Sequence, residues 1–327
     1  MTRPAWLAFA AMSVLWGVSY LLIKIAVRGG LPAPDVAWLR VAIAAVVLMA
    51  LAWRAGALPS LRGRGRWLLA YAVAEISIPF PLIAAGEVHV ASSLAAIIIA
   101  AVPLIGAVLA LRFDHSERPT PVRALGLAIG FSGVIALVGI DVAGNSAELL
   151  GTLAILVAAV GYAIGPMLVK HRFGGLDPRA LMGASLSLAA VILAPFAILD
   201  TPSRTPSGGA WAAVATLGLL CTAVAFVVFT VLIREAGTSR ATVITYVNPV
   251  IALALGVALE SERPGAGAIV GLVLILAGSW LSTTGRGVGG GRLRGLVQGG
   301  RGRVPRRPKS RTDREVMRSA TADRLLD

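Results

Sequence analysis

Long apolar stretches alternate with short polar ones along most of this chain. The apolar stretches run over residues 5–27, 33–53, 67–86, 91–113, 121–140, 148–169, 180–199, 210–233, 240–259 and 265–284. Most reach the ~20 residues that a helix needs to cross the hydrocarbon of a bilayer. None shows the alternation of a barrel strand. In lipid every backbone polar group has to be satisfied internally, so the pattern predicts ten transmembrane helices and an all-α integral membrane protein. The first stretch is too long for a signal-peptide core and has no clear small-x-small cleavage site, so it is expected to be retained.

Composition agrees. Hydrophobic residues make up 57% of the 327, charged residues 14%, and mean hydropathy is +0.82. A soluble domain carries about a quarter charged residues, so a water-soluble globular protein is excluded. The net charge of +14 would suggest nucleic acid in a soluble chain, but here the location of the charges decides. With a cytoplasmic N-terminus, thirteen Lys and Arg fall in inside loops and three, Arg28, Arg204 and Arg263, fall outside. Twelve more lie in the tail, residues 285–327, and Lys24 and Arg40 lie within helices. The positive-inside rule therefore places both termini in the cytoplasm. The tail, with Gly and the run RGRVPRRPKSR, cannot bury a core and is expected to be a disordered, basic cytoplasmic segment touching anionic lipid. No aromatic residues interleave its arginines, which argues against nucleic acid. Arg outnumbers Lys 27 to 3, and Ala and Gly are abundant. That bias suggests a GC-rich bacterial genome and a plasma (inner) membrane.

The two halves resemble one another. Lys24 and Lys170 are 146 apart, as are Pro103 and Pro249. After one deleted residue, Glu117-Arg118-Pro119 matches Glu262-Arg263-Pro264 at an offset of 145, with Gly126 matching Gly271 and Gly133 matching Gly278. The expected organisation is a first five-helix repeat over 1–143, a second over 144–284, and the tail over 285–327. Five is odd, so the second repeat enters the membrane inverted. Inverted repeats suit alternating-access carriers, because the halves can exchange conformations.

The chain resembles the EamA type of the drug/metabolite transporter superfamily. LWGVSYLLIK in helix 1, WLR in helix 2 (Trp38 to Arg40), IPFPLIAAGE in helix 3, the small-residue run ending in Pro103 and the SERP segments carry the likeness, in this order and partly doubled. It covers residues 5 to 284. The resemblance implies transport of small metabolites such as amino acids, often as export and often coupled to ions. The second half has no counterpart of WLR, since Leu186 stands opposite Arg40.

Charges inside a bilayer are costly and tend to face a cavity. Glu75, about eight residues into helix 3, is the best candidate. A carboxyl withdrawn from water can carry a proton or bind a cationic group; the alternative is a neutral acid that holds two helices together. Arg40, about 10 Å deep at 1.5 Å per residue, could hold a substrate carboxylate bidentately, pair with Glu75 or Glu87, or snorkel outward. Lys24 stands nearer its helix end and is expected to snorkel outward. Pro79, Pro81, Pro103, Pro249 and Gly165-Pro166 are expected to interrupt helices 3, 4, 9 and 6, and broken helices are where transporters commonly build sites. Tyr246 and Asn248 add polar groups beside Pro249, and Trp16, Tyr20 and Tyr162 are candidates to line a cavity. Glu117 and Glu262 of the SERP segments read as caps or gates at helix ends. Glycine pairs 126 and 130, 161 and 165, and 267 and 271 indicate close helix packing; whether within one chain or in a homodimer stays open.

No G-x-x-x-x-G-K-[ST] loop is present, so transport would draw on a gradient rather than ATP bound by this chain. The three histidines are scattered and give no metal-ligand spacing. Ser132 in GFSG has no base in reach on any predicted helix, which argues against an enzyme. No cofactor is called for. The leading reading is a secondary-active exporter of a small metabolite such as an amino acid, using protons or another coupling ion. A nucleotide-sugar or multidrug exchanger, or a non-transporting scaffold or receptor, are the alternatives.

Overall fold

The computed structural model describes residues 2–113, 120–142, 144–200, 202, 204–236 and 243–284. Expectations for Glu117 and the tail lie outside these residues. The described chain is helical, with no strands. In order the helices are α1 (Arg3–Arg28), α2 (Ala33–Arg54), α3 (Gly65–His89), α4 (Ser92–Phe113), α5 (Pro121–Val142), α6 (Ser146–Arg172), α7 (Pro178–Leu199), α8 (Gly208–Ala236), α9 (Ile244–Glu260) and α10 (Ala266–Thr284). Among the described residues nine are long and apolar enough to span a membrane, and α9 is apolar but shorter. The predicted start of α9, residue 240, falls outside the described residues.

Half of the helix starts are capped by a neighbouring side chain. Thr2, Thr120, Asn145, Asp177 and Ser207 each accept a hydrogen bond from a backbone N–H two or three residues on, with Pro in the first turn of α1, α5 and α7. These side chains satisfy donors that a helix start leaves orphaned. Two starts differ. Ala91 gives α4 no side-chain cap; Glu262 supplies it from 170 residues away, accepting from Ser92 N and Oγ at 2.8 Å and Ser93 N at 3.1 Å. The first turn of α10 is capped by Asp141, which accepts from Gly267 N at 3.0 Å and Ala268 N at 2.5 Å.

Three helices carry a π-helical turn: Val73–Ser77 in α3, Val138–Val142 in α5 and Leu219–Val224 in α8. The first lies just before Pro79. The turns of α3 and α8 begin 146 residues apart. In α4 the helix breaks at Ala100 and Ala101, ahead of Pro103. The expected interruptions at Pro166 and Pro249 do not occur: α6 and α9 run continuously through them. A proline frees one carbonyl and removes one donor, which a helix packed among neighbours can absorb.

Packing is dominated by α5 on α10, α2 on α7, α3 on α6, α1 on α8 and α9, and α4 on α6 and α9. The glycine spacings mark close contacts within this one chain. A Cβ on Gly126 would sit 2.6 Å from Ser282 N, and one on Gly271 2.9 Å from Gly133 O, so α5 and α10 meet backbone to backbone. Gly161 admits the Ala74 carbonyl of α3, Gly165 admits Glu75, and Gly267 admits Asp141. Large apolar side chains such as Val46, Trp53, Ile135, Val191 and Leu199 face outward, as a lipid-facing surface requires.

Candidate functional site

Arg40 is carried into the interior by α2, between α3 and α8. Its guanidinium lies 4.4 Å from the centroid of the Phe80 ring, and Nε donates to Thr222 Oγ1 at 2.8 Å. Thr222 belongs to the π turn of α8 and donates in turn to the Leu217 carbonyl, five residues back, at 2.8 Å. Stacking and this one bond fix the plane of the guanidinium. Its terminal nitrogens have no hydrogen-bond or ion-pair partner among the described residues.

Around Arg40 stand aromatic rings from several helices. Tyr162 of α6 meets Phe80 edge-on at 6.4 Å, and both Tyr20 of α1 and Tyr162 lie within electrostatic reach of Arg40. Phe226 packs in the same apolar cluster as Phe80 and Tyr162, and Trp16 packs on Phe226 at 6.2 Å and Phe229 at 5.2 Å. Glu75 sits in the π turn of α3, in electrostatic reach of Tyr162. Its Oε2 is buried without a hydrogen-bond partner. It occupies the space left by Gly165, where any Cβ would overlap the carboxyl. Arg40 pairs with neither Glu75 nor Glu87.

A second polar group lies where α1, α3 and α9 end and α4, α8 and α10 begin. The expectation that Lys24 snorkels outward is overturned. Lys24 is buried, and its ammonium donates to the carbonyls of Glu87 at 2.5 Å and Val90 at 2.7 Å. The cause is the end of α3, whose last carbonyls have no partner within the helix and take a cation in their place. The Glu87 carboxyl is fully buried, and neither oxygen has a hydrogen-bond partner. Nearby, Arg28 pairs with Glu260, Arg204 donates to the Arg28 carbonyl, and Ser207 N donates to the Gly29 carbonyl at 2.9 Å. At the opposite end Thr2 donates to Glu235 at 2.9 Å and Arg64 to the Arg172 carbonyl.

Of the residues singled out in the sequence, the fold therefore brings Arg40, Glu75, Tyr20 and Tyr162 together and joins Trp16 to them through Phe226. Pro79 packs against Gly161 of α6, and Pro103 stands at the break in α4. Lys24 belongs to the second group. On α9, the Tyr246 hydroxyl meets Thr283 Oγ1 of α10 at 3.0 Å, the Asn248 Oδ1 is buried and unpartnered, and Pro249 is buried. Phe80, Thr222 and Glu87 were not singled out as site residues. Thr222 and Phe80 are unremarked members of apolar runs, and Glu87 reads as a helix-end residue.

Comparison with known proteins identifies the family. A model of the EamA-like transporter family matches residues 3–139 and 149–284. The chain is 30% identical over 270 residues to an Escherichia coli protein named as an uncharacterized inner membrane transporter, YedA, covering 79% of this chain and 84% of that one. It is 30% identical over 293 residues to a probable terminal-alkyne amino-acid exporter of Streptantibioticus cattleyicolor, covering 86% and 93%. It is 27% identical over 174 residues to the aromatic amino acid exporter YddG of Ancylobacter novellus, covering 52% and 60%. One crystal structure superimposes with a TM-score of 0.61 at 22% identity, covering 86% of this chain and 98% of that one, and speaks for the fold alone. With ten apolar helices, a polar centre within them and a family model matched along nearly all of 3–284, the chain belongs to the EamA-like transporter family.

Proposed function

We propose that this protein is a secondary-active, alternating-access carrier that exports a small carboxylate-bearing metabolite, with amino acids as the leading class. One observation carries the substrate reading: Arg40, a guanidinium within the helical bundle, is fixed by Phe80 and Thr222 while its terminal nitrogens have no partner among the described residues. An idle charge at such depth is expensive, and the exposed edge of a guanidinium suits the two oxygens of a carboxylate. Tyr20, Tyr162 and Trp16 would offer the rest of the substrate an apolar wall. Glu75 would bind the coupling proton or cation. The names of two relatives as amino-acid exporters favour the same class.

The two-half reading rests on the repeat offset, on the family model matching once in each half, and on helix pairing. Adding five to the helix numbers turns α1–α8 into α6–α3 and α1–α9 into α6–α4, while α2–α7 and α5–α10 each join equivalent helices. This is the pairing expected of inverted repeats related by a pseudo-two-fold axis, with both termini cytoplasmic and the Lys24 end facing outward. A plasma-membrane location follows from the same reading.

The test is transport in proteoliposomes with a panel of amino acids and their methyl esters. Arg40→Ala should abolish the preference for the free acid, and Arg40→Lys should restore it only partly because the fork is lost. Equal loss for acids and esters would sink the substrate role. Glu75→Gln should abolish gradient-driven accumulation while leaving exchange; unchanged accumulation would remove Glu75 from coupling. A multidrug exchanger for cations is the second reading, favoured by the aromatic wall and the unpartnered Glu75 oxygen. It requires the reverse pattern, with Arg40→Ala tolerated.

A further inference from the structure

We propose that Glu87 is a proton-binding site that latches the Lys24 end of the bundle, separate from Glu75. Both oxygens of this carboxyl lack a partner, and the residue is fully shielded from solvent. A carboxylate buried in that way has nothing to offset its lost hydration. The nearest arrangement that suits the observed geometry is the neutral acid, holding one proton. The charged and titratable groups in its electrostatic reach are Lys24 and Tyr20 on α1, Arg40 on α2 and Glu262 on the α9–α10 connection.

The device lies in how Lys24 is used. Its ammonium is committed to the Glu87 and Val90 carbonyls, so it caps the C-terminal end of α3 rather than pairing with the carboxyl beside it. When Glu87 gives up its proton, the new carboxylate is repelled by the Glu262 carboxylate and attracts the ammonium. Taking the ammonium keeps α1 on α3 but releases the Val90 carbonyl, which unties α1 from the turn leading into α4, and the new charge pushes Glu262 away from its cap on α4. Glu262 simultaneously caps α4, and Arg28 pairs with Glu260 close by. Disturbing Lys24 therefore loosens a junction that joins α1, α3, α4 and α9. One proton on Glu87 closes this end; its loss opens it. The inference rests on alternating access only for its use in a transport cycle, since the latch itself can be read without substrate.

The experiment follows the accessibility of the latch. In the full-length chain carrying Cys221→Ser, Val90→Cys is buried at the junction in the closed form. Labelling by a charged, membrane-impermeant maleimide, corrected for the reagent's own pH response on a free thiol, reports opening. With Glu87 present the open-to-closed ratio should rise with pH, by up to about tenfold per unit for one linked proton. Glu87→Gln should hold labelling low at every pH, and Lys24→Met should leave it high at every pH. A flat profile with Glu87 present, or a pH response that survives in Glu87→Gln, would overturn the proposal. Infrared spectroscopy of the otherwise native chain covers the case where the reporter variants fail to fold. A protonated-carboxyl C=O band lost in Glu87→Gln and kept in Glu75→Gln supports the site; its presence in Glu87→Gln at full strength overturns it. An intact latch in a chain that moves no substrate would reject the transport reading and leave this one standing.

Discussion

Gly165 and Glu75 show how one residue's size fixes another's chemistry. The carboxyl lies where a Cβ on Gly165 would be, so Gly165→Ala has to push it out of its place in the π turn. Overpacking of this kind costs about 1–3 kcal/mol. The same substitution in a Glu75→Ala background meets no carboxyl, only the remaining Cβ at 3.3 Å, so most of that cost should vanish. The double-mutant cycle, read by reversible unfolding in mixed detergent, should therefore show strong coupling between the two positions; additive effects would mean that the side chains do not share this space. The sequence made Glu75 visible because an acid in an apolar run stands out by itself. It did not reveal Gly165 as its neighbour, and it misplaced Lys24. A lysine near a helix end snorkels when only lipid and water surround it, whereas here the frayed carbonyls of α3 arrive from more than sixty residues away. Glu87 entered only as a possible partner for Arg40, for a related reason: an acid at the end of a helix looks solvated until other elements are packed over it.

At the scale of elements, most helix boundaries were legible because the apolar stretches are long and the polar breaks between them short, and half of the helix starts carry a local side-chain cap as well. Helices α4 and α10 are capped by Glu262 and Asp141 from the opposite half of the chain; the sequence marks Glu262 as a cap or gate at a helix end, but nothing local names α4 as the helix it caps. Glu262 also makes a prediction about pH. Burial acts to raise its carboxyl, but the hydrogen bonds from Ser93 and Ser92 outweigh this and hold it below the ordinary carboxylate range. A carboxyl lowered on folding contributes stability that is fully present above its unfolded pKa and is lost as pH falls through the folded one. Thermal unfolding of Glu262→Gln should thus show a loss of about 1–2 kcal/mol near neutrality and a shallower decline in acid than the parent chain. Parallel profiles would show that the cap is not ionised. The α5–α10 pair offers a packing test. A Cβ on Gly278 would overlap backbone atoms of Gly126 and Gly130, which cannot move aside singly, whereas Gly139 has open space around it. Gly278→Ala should destabilise by at least about 1–3 kcal/mol while Gly139→Ala is neutral or mildly stabilising; similar effects at both sites would contradict the backbone-to-backbone contact.

On the scale of the whole molecule, the duplicated pattern legible in the sequence predicts which contacts must break. Helix α1 is tied to the second half at both of its ends, through Thr2 to Glu235 of α8 and through Arg28 to Glu260 of α9. A carrier that opens each end in turn must release these ties at different stages of its cycle. A scaffold or receptor without such a cycle has no need to release either. Replacing each pair by cysteines in the Cys221→Ser chain, and joining them with a reducible bifunctional thiol reagent long enough to stand in for the two side chains, allows the ties to be made permanent. Bridging Arg28→Cys to Glu260→Cys, or Thr2→Cys to Glu235→Cys, should each stop transport, with recovery on reduction and no effect from any single cysteine. The two bridges should also differ in what they leave accessible. The first keeps the Lys24 end shut, so Val90→Cys in that background stays unlabelled even when Glu87 is ionised. The second leaves that end free to respond to pH. Transport that continues with either bridge fully formed would remove alternating access from the account, because a substrate path would then exist that needs no opening at that end.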